Sequence, residues 1–123
     1  MNRVVHFELP AEDPARAAAF YESVFGWKIH KWAGPIDYWM VETGTEGGGI
    51  DGGLSGRNPG FPTNAPVNVI GVESTDATVA AIVAAGGAVM APKMAVPGIG
   101  WLAYCTDTEG VLFGVMQSDP SAA

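Results

Sequence analysis

His6 and Glu8 are the residues of this chain whose types and spacing point most directly to chemistry. They lie in the alternating run Val4-Val5-His6-Phe7-Glu8-Leu9. The two-residue period of a strand turns both toward one side and Val5, Phe7 and Leu9 toward the other. An imidazole beside a carboxylate can move protons. A Glu in a partly apolar cavity has its proton affinity raised toward neutrality, and an adjacent His can donate or accept. The pair suits proton abstraction beside a carbonyl, or a small isomerisation or elimination, with Glu8 as base and His6 as orienting acid. The plainer alternative is that Glu8 pairs with a basic side chain or with backbone amides and holds the sheet together. A second resource is aromatic: Trp27, Trp32, Tyr38, Trp39, Trp101 and Tyr104 can supply platforms for a small organic ligand. Trp39, Trp101 and Tyr104 are the ring candidates for a pocket, and the rest suit core or dimer contacts.

The elements that must position these residues repeat. Shifting the first half forward by 61 positions lays Leu9 on Ile70, Gly26 on Gly87, Val41 on Leu102, Thr45 on Thr106, Gly53 on Gly114 and Leu54 on Val115. Matches spread along one gapless offset indicate a duplicated module. In the first copy, Val4 to Leu9 is a strand. Asp13 caps a helix that opens on Pro14, buries Ala17, Phe20, Tyr21 and Val24 and stops at Gly26. Strands follow at Trp27 to Trp32, Tyr38 to Thr43 and Ile50 to Ser55. Gly56 to Pro66 is turn chemistry and reads as the joint. The second copy predicts a strand at Val67 to Val72 and a helix at Asp76 to Ala85 with Val79, Ile82 and Val83 inward. Strands then start at Val89 and run over Trp101 to Thr106 and Val111 to Gln117. The segment Met94 to Trp101 is expected to be a mobile cover for a pocket mouth. The boundaries are module one 1–55, linker 56–66, module two 67–117 and a short tail 118–123, together one domain. The fold class is α+β, with two tandem βαβββ modules.

Composition excludes several functions. With 123 residues, 48% hydrophobic and 15% charged, the chain can bury well over half of its unfolded surface. A net charge of −7 with only six Lys and Arg argues against a nucleic-acid partner. No apolar run approaches the roughly eighteen residues that span a bilayer, and the N-terminus lacks a signal-peptide layout, so a cytoplasmic location without a membrane partner is expected. The single Cys105 reads as a small apolar strand residue. Gly47-Gly48-Gly49 and Gly98-Ile99-Gly100 lack the context of phosphate loops. Four tryptophans in so short a chain need burial, and a homodimer is the expected way to supply it.

The βαβββ duplication, the opening Val5-His6-Phe7-Glu8-Leu9, the stretch Phe20-Tyr21-Glu22-Ser23-Val24-Phe25-Gly26-Trp27 and the close Asp107-Thr108-Glu109-Gly110-Val111-Leu112-Phe113-Gly114 resemble the vicinal oxygen chelate superfamily. That group includes glyoxalase I, bleomycin- and fosfomycin-resistance proteins and extradiol dioxygenases. The resemblance covers about Val4 to Gln117. It implies a curved eight-stranded mixed sheet around a central cleft, a small organic ligand in that cleft, and dimerisation.

The resemblance also implies a divalent metal, held by one residue from the first and one from the last strand of each module. Carried onto this sequence, those positions are His6, Gly53, Val67 and Gly114, and only His6 can be a ligand. A catalytic site needs about three protein ligands, so neither a working glyoxalase I nor a bound cofactor is expected. Asp51, two residues before Gly53, should line the same surface as His6 and Glu8. Three functions follow. One is metal-independent lyase- or isomerase-type acid-base chemistry at His6 and Glu8, with Asp51 as a ligand contact. Another is non-catalytic sequestration of a small molecule such as an antibiotic. The third is a metal-dependent, dioxygenase-like enzyme with a rebuilt site of His6, Glu8 and Asp51, a donor set suited to iron, manganese or zinc.

Overall fold

The computed structural model describes residues 1–61 and 64–123; Pro62 and Thr63 of the predicted linker lie outside the described residues. The elements are β1 (Arg3–Ala11), α1 (Pro14–Phe25), β2 (Lys28–Lys31), β3 (Tyr38–Glu42), β4 (Gly52–Gly56), β5 (Val67–Gly71), α2 (Thr75–Ala84), β6 (Ala88–Val96), β7 (Gly100–Thr106) and β8 (Leu112–Ser118). The order is βαβββ twice. The hydrogen-bonded strand order β2-β3-β4-β1-β5-β8-β7-β6 is an eight-stranded mixed sheet, with β1 and β4 parallel, β5 and β8 parallel, and the remaining pairs within each module antiparallel. By its contacts the chain divides into two compact units, one of Met1–Val5 with Val67–Ala123 and one of His6–Pro66. The first five residues join the later unit because the Asn2 N–H donates to the Gly71 carbonyl at 2.7 Å.

In the His6–Pro66 unit, local chemistry sets both ends of α1. The Asp13 carboxylate accepts from the Arg16 N–H at 3.1 Å, Pro14 occupies the first turn, and Gly26 closes the helix in the left-handed region at φ 71°, donating to the Glu22 carbonyl. The core is Ala18, Val41 and Leu54, with Phe7, Leu9, Trp27, Ile29 and Trp39 packed against it. Tyr21 stacks on Trp27, 4.9 Å between centroids and 7° from parallel. The expected helix stripe needs correction: Phe20 and Val24 are 56% and 55% exposed. Ala17, Ala18 and Tyr21 meet the sheet at helical spacing, and positions 20 and 24 fall to the side of that face.

In the other unit, Ser74 caps α2 by accepting from the Ala77 N–H. The core is Val72, Ala103 and Val115, with Ile70, Val79, Ile82 and Phe113 against it. Val83, expected inward, is exposed. Cys105 is fully buried in β7, and burial pushes its thiol pKa up, in keeping with a packing role. Met94 to Trp101 is not a mobile cover. Met94 pairs with Leu102, Ala95 with Trp101 and Val96 with Gly100, the two arms of a β-hairpin, and Gly98 at its tip donates to the Ala122 carbonyl at 3.0 Å. The tail is likewise held, with Ala122 buried.

The single offset of 61 also needs correction. Glu8 pairs with Gly53 and Val69 with Gly114, which preserves it for the first and last strands. Met40 pairs with Gly53 but Tyr104 pairs with Gly114, so β7 lies 64 positions after β3. Val41 therefore corresponds to Cys105 and not to Leu102. The extra positions enter with the longer hairpin arm of module two, where β6 has nine residues and β2 has four, and the shorter β7–β8 connection takes them back.

Candidate functional site

Strand register sorts the side chains of module one into two faces. Met40 lies opposite Gly53, and Glu8 pairs with Gly53 in the parallel ladder. His6, Glu8, Tyr38, Met40 and Gly53 therefore share one face, while Phe7, Leu9, Trp39, Val41 and Leu54 share the face under α1. His6 and Glu8 are brought together as their spacing implied. What joins them is Tyr38, singled out beforehand only as a strand residue and one ring among several.

Tyr38 reaches into space that Gly53 leaves free. A Cβ at Gly53 would overlap the Tyr38 hydroxyl, so the glycine and the phenol are two halves of one packing arrangement. The hydroxyl lies 2.8 Å from His6 Nε2 and is hydrogen-bonded to the Glu8 carboxylate. Trp32 meets the Tyr38 ring edge-on at 6.2 Å and lies over Gly34, where its indole leaves no room for a side chain. Burial first, then the negative charge of Glu8 and its hydrogen bond, push the Tyr38 phenol far above its usual range, so it stays protonated at ordinary pH. Burial lowers the His6 pKa, and the negative charge of Asp51 partly offsets this, so His6 is neutral at pH 7. An ionised carboxylate only accepts, so the one phenol proton is assigned to Glu8, and the His6 Nε2–H then donates to the phenol oxygen. The arrangement is a three-membered chain, imidazole to phenol to carboxylate.

The other expected site residues are placed elsewhere. Asp51 lies at the mouth of β4, where its Oδ1 accepts from the Thr43 N–H at 2.9 Å and from Thr43 Oγ1 at 3.2 Å. It closes the β3–β4 connection and influences His6 only through its charge. Trp39 packs into the core beneath α1, with Lys31 Nζ 5.7 Å from its ring. Trp101 donates from Nε1 to Asp119 at 3.0 Å and lies under Lys93 Nζ at 5.1 Å; Lys93 in turn pairs with Asp76 at 2.9 Å. The strand parity of Trp101 is that of core residue Ala103. Both tryptophans are thus corrected to the helix-side faces of their modules. Tyr104 is on the opposite face of module two, beside Gly114, where Val69 and Leu102 also approach. A groove of about 470 Å³ under α2, between Ile82 and Phe113, is a hollow left by the small residues Ala77 and Ala81. None of its lining residues is titratable.

Comparison with known proteins places this chain in a family. Residues 3–44 match the profile described as bleomycin resistance protein-like N-terminal. A glyoxylase-like domain-containing protein of Didymella fabae is 33% identical over 113 residues, 89% of this chain and 88% of that protein. The chain belongs to the vicinal oxygen chelate superfamily. The protein CFP32 of Mycobacterium bovis, which carries a glyoxylase name, is 33% identical over 115 residues; these make up 92% of this chain, which spans only 43% of that relative's length. Among solved structures, a variant of Streptomyces coelicolor methylmalonyl-CoA epimerase in complex with 2-nitronate-propionyl-CoA superposes with TM-score 0.71 at 17% identity, over 100% of this chain and 99% of that one. The epimerase of Mycobacterium tuberculosis gives TM-score 0.71 at 14% identity, covering 94% and 87%.

The superfamily's metal does not fit these residues. In module one the family positions are His6 and Gly53, and the space in front of Gly53 is filled by a phenol that is already hydrogen-bonded on both sides. In module two they are Val67 and Gly114, which offer no donor atom. Among the described residues, no three His, Cys, Asp or Glu side chains gather closely enough to hold an ion, and Asp51, the third member of the rebuilt set, is committed to Thr43. No described helix is long and apolar enough to cross a membrane.

Proposed function

We propose that the protein holds a small carbonyl compound against the His6–Tyr38–Glu8 face of module one and moves a proton on it without a metal, as an isomerase or lyase does. Glu8 is the base and His6 the neutral partner that keeps the chain of hydrogen bonds in order. The observation that carries this reading is the Tyr38 hydroxyl shared by His6 and Glu8. It binds a base and a neutral imidazole into one unit at the place where relatives are expected to hold their ion. Likeness in fold to epimerases solved with acyl-CoA compounds supports testing acyl thioesters first. The exposed Phe20, Val24 and Phe25 on α1 support pairing with a second copy, and sedimentation showing only monomer at micromolar concentration would count against it.

The test is deuterium uptake at the α-carbon of methylmalonyl-CoA and of a panel of 2-substituted carbonyl compounds, followed by NMR in D2O on chelator-treated protein. Exchange should be catalysed by the wild type and fall roughly a hundred- to ten-thousandfold in Glu8→Gln, the usual worth of a positioned base. Sequestration is the second reading, favoured by the apolar flanks of Gly114 (Val69, Leu102 and the Tyr104 ring). It gains if compounds bind wild type and Glu8→Gln alike and neither exchanges a proton.

A further inference from the structure

We infer that Tyr38 is the oxyanion-binding group of this site, its hydroxyl offering a hydrogen bond to a ligand oxygen that gains negative charge where a side chain from residue 53 would otherwise project. The ligand class is therefore an enolisable carbonyl compound bound through its carbonyl oxygen, an assignment that rests on the proton-transfer reading above. Three features of the structure support it. The phenol occupies the volume in front of Gly53. It is anchored at 2.8 Å by His6 Nε2, which fixes the oxygen and leaves its proton to be directed. Its other partner is the carboxylate that would act as base.

The last feature gives the phenol its use. While Glu8 is ionised, the single phenol proton belongs to it. When Glu8 takes a proton from the carbon beside the ligand carbonyl, the C–H bond breaks and its electron pair passes into the carbonyl group. The negative charge then leaves Glu8 for the ligand oxygen. A neutral carboxylic acid is a poor acceptor beside an enolate, so the phenol proton turns to the enolate oxygen and follows the charge. Return of the proton from Glu8 to carbon re-forms the C–H bond and the carbonyl, with no oxidant or second reactant consumed. A buried neutral donor aimed at the developing charge can do what a Lewis acid does elsewhere. Burial and Glu8 both hold Tyr38 in its protonated form, as this role requires.

The probes are 4-nitrophenol, whose ionised form imitates an enolate and has its own absorbance band, and nitrobenzene, which lacks the oxygen. Glu8→Gln, in which no carboxylate holds the phenol proton, should bind the nitrophenolate form, seen as growth of that band on mixing. Adding Tyr38→Phe should weaken this binding roughly tenfold to a hundredfold, the worth of a hydrogen bond to a charged group, and leave nitrobenzene within about twofold. Glu8→Gln should tighten nitrophenolate, because it removes both a repelling charge and the competitor for the phenol proton. If Tyr38→Phe does not fold, 3-fluorotyrosine placed at 38 keeps the shape, and its more acidic phenol should bind nitrophenolate more tightly than tyrosine does. Equal nitrophenolate binding by Glu8→Gln with and without Tyr38→Phe, or no binding by Glu8→Gln, overturns the assignment. The two proposals also fail separately. Tyr38-dependent nitrophenolate binding without deuterium exchange on any carbonyl compound removes the proton-transfer reading alone. Glu8-dependent exchange that is unchanged in Tyr38→Phe removes the oxyanion role alone.

Discussion

The two modules share a strand plan and differ in what they place on equivalent faces. In module one, the first strand turns His6 and Glu8 toward Gly53, and the third strand sends the Tyr38 hydroxyl between them. In module two, the matching first-strand residues are Val67 and Val69, both buried, and Gly114 is approached by Val69, Leu102 and the edge of Tyr104. One face carries a hydrogen-bonded polar chain, and around its glycine the other presents two aliphatic side chains and the edge of a ring. Duplication thus preserved the backbone while the side chains diverged, and polar chemistry on these matching faces is concentrated on module one. The contrast also explains why the same glycine serves twice for different reasons. Gly53 makes room for a phenol hydroxyl, whereas a Cβ added at Gly114 would meet its neighbours at ordinary or slightly tight contact distance.

Copying the polar residue into the wrong module should have the largest effect. Val69→Glu puts a carboxylate on a buried face and should cost about 3–5 kcal/mol, read from urea unfolding. A loss below about 1 kcal/mol would show that module two can host charge and that the contrast is shallow. Next is the glycine pair. Gly53→Ala drives its methyl into the Tyr38 hydroxyl and should cost about 1–3 kcal/mol, while Gly114→Ala, whose Cβ would lie 3.2–3.5 Å from its three nearest atoms, should cost less than about 1. The Gly53 penalty should shrink in a Tyr38→Ala background, a coupling that a double-mutant cycle measures directly.

A smaller effect concerns pH. Burial depresses the His6 pKa below its ordinary 6.5, so at mildly acid pH the unfolded chain binds a proton that the folded chain resists. The contribution is therefore present above the unfolded value and is lost as pH falls below it toward the folded one. His6→Gln should narrow the difference in melting temperature between about pH 7.5 and about pH 5.5. An unchanged difference would mean that His6 does not feel its surroundings. The smallest expected change is none. Removing divalent metal with a chelator should leave deuterium exchange and melting temperature where they were, and a clear loss of either would return the ion to the mechanism.

Much of the fold was readable from local signals. Asp13-Pro14 and Gly26 mark the ends of α1 through capping chemistry that depends on no distant contact. The alternation around His6 and Glu8 assigns them a common side because a strand has a period of two. Even the placement of Trp39 was available, since it shares parity with Val41 and so belongs under the helix. Tyr38 was not readable as the centre of the site. Its only advance signal was a glycine within β4, which marks the close approach of some other group without naming it. Asp51 was misplaced for a related reason: its partner Thr43 is eight positions away, across a connection whose turn the local pattern does not specify. The shift from 61 to 64 between β3 and β7 was hidden because a longer hairpin arm alters register without disturbing the hydrophobic pattern.

By itself, the sequence determined the elements and their duplication, because caps and periodicity act within a few positions of the chain. Only the tertiary structure decided that the space left by Gly53 belongs to the Tyr38 hydroxyl and that this hydroxyl links His6 to Glu8. Hydrogen bonds from β3 to β1 across the glycine of β4 depend on register, and register is settled when the strands pair.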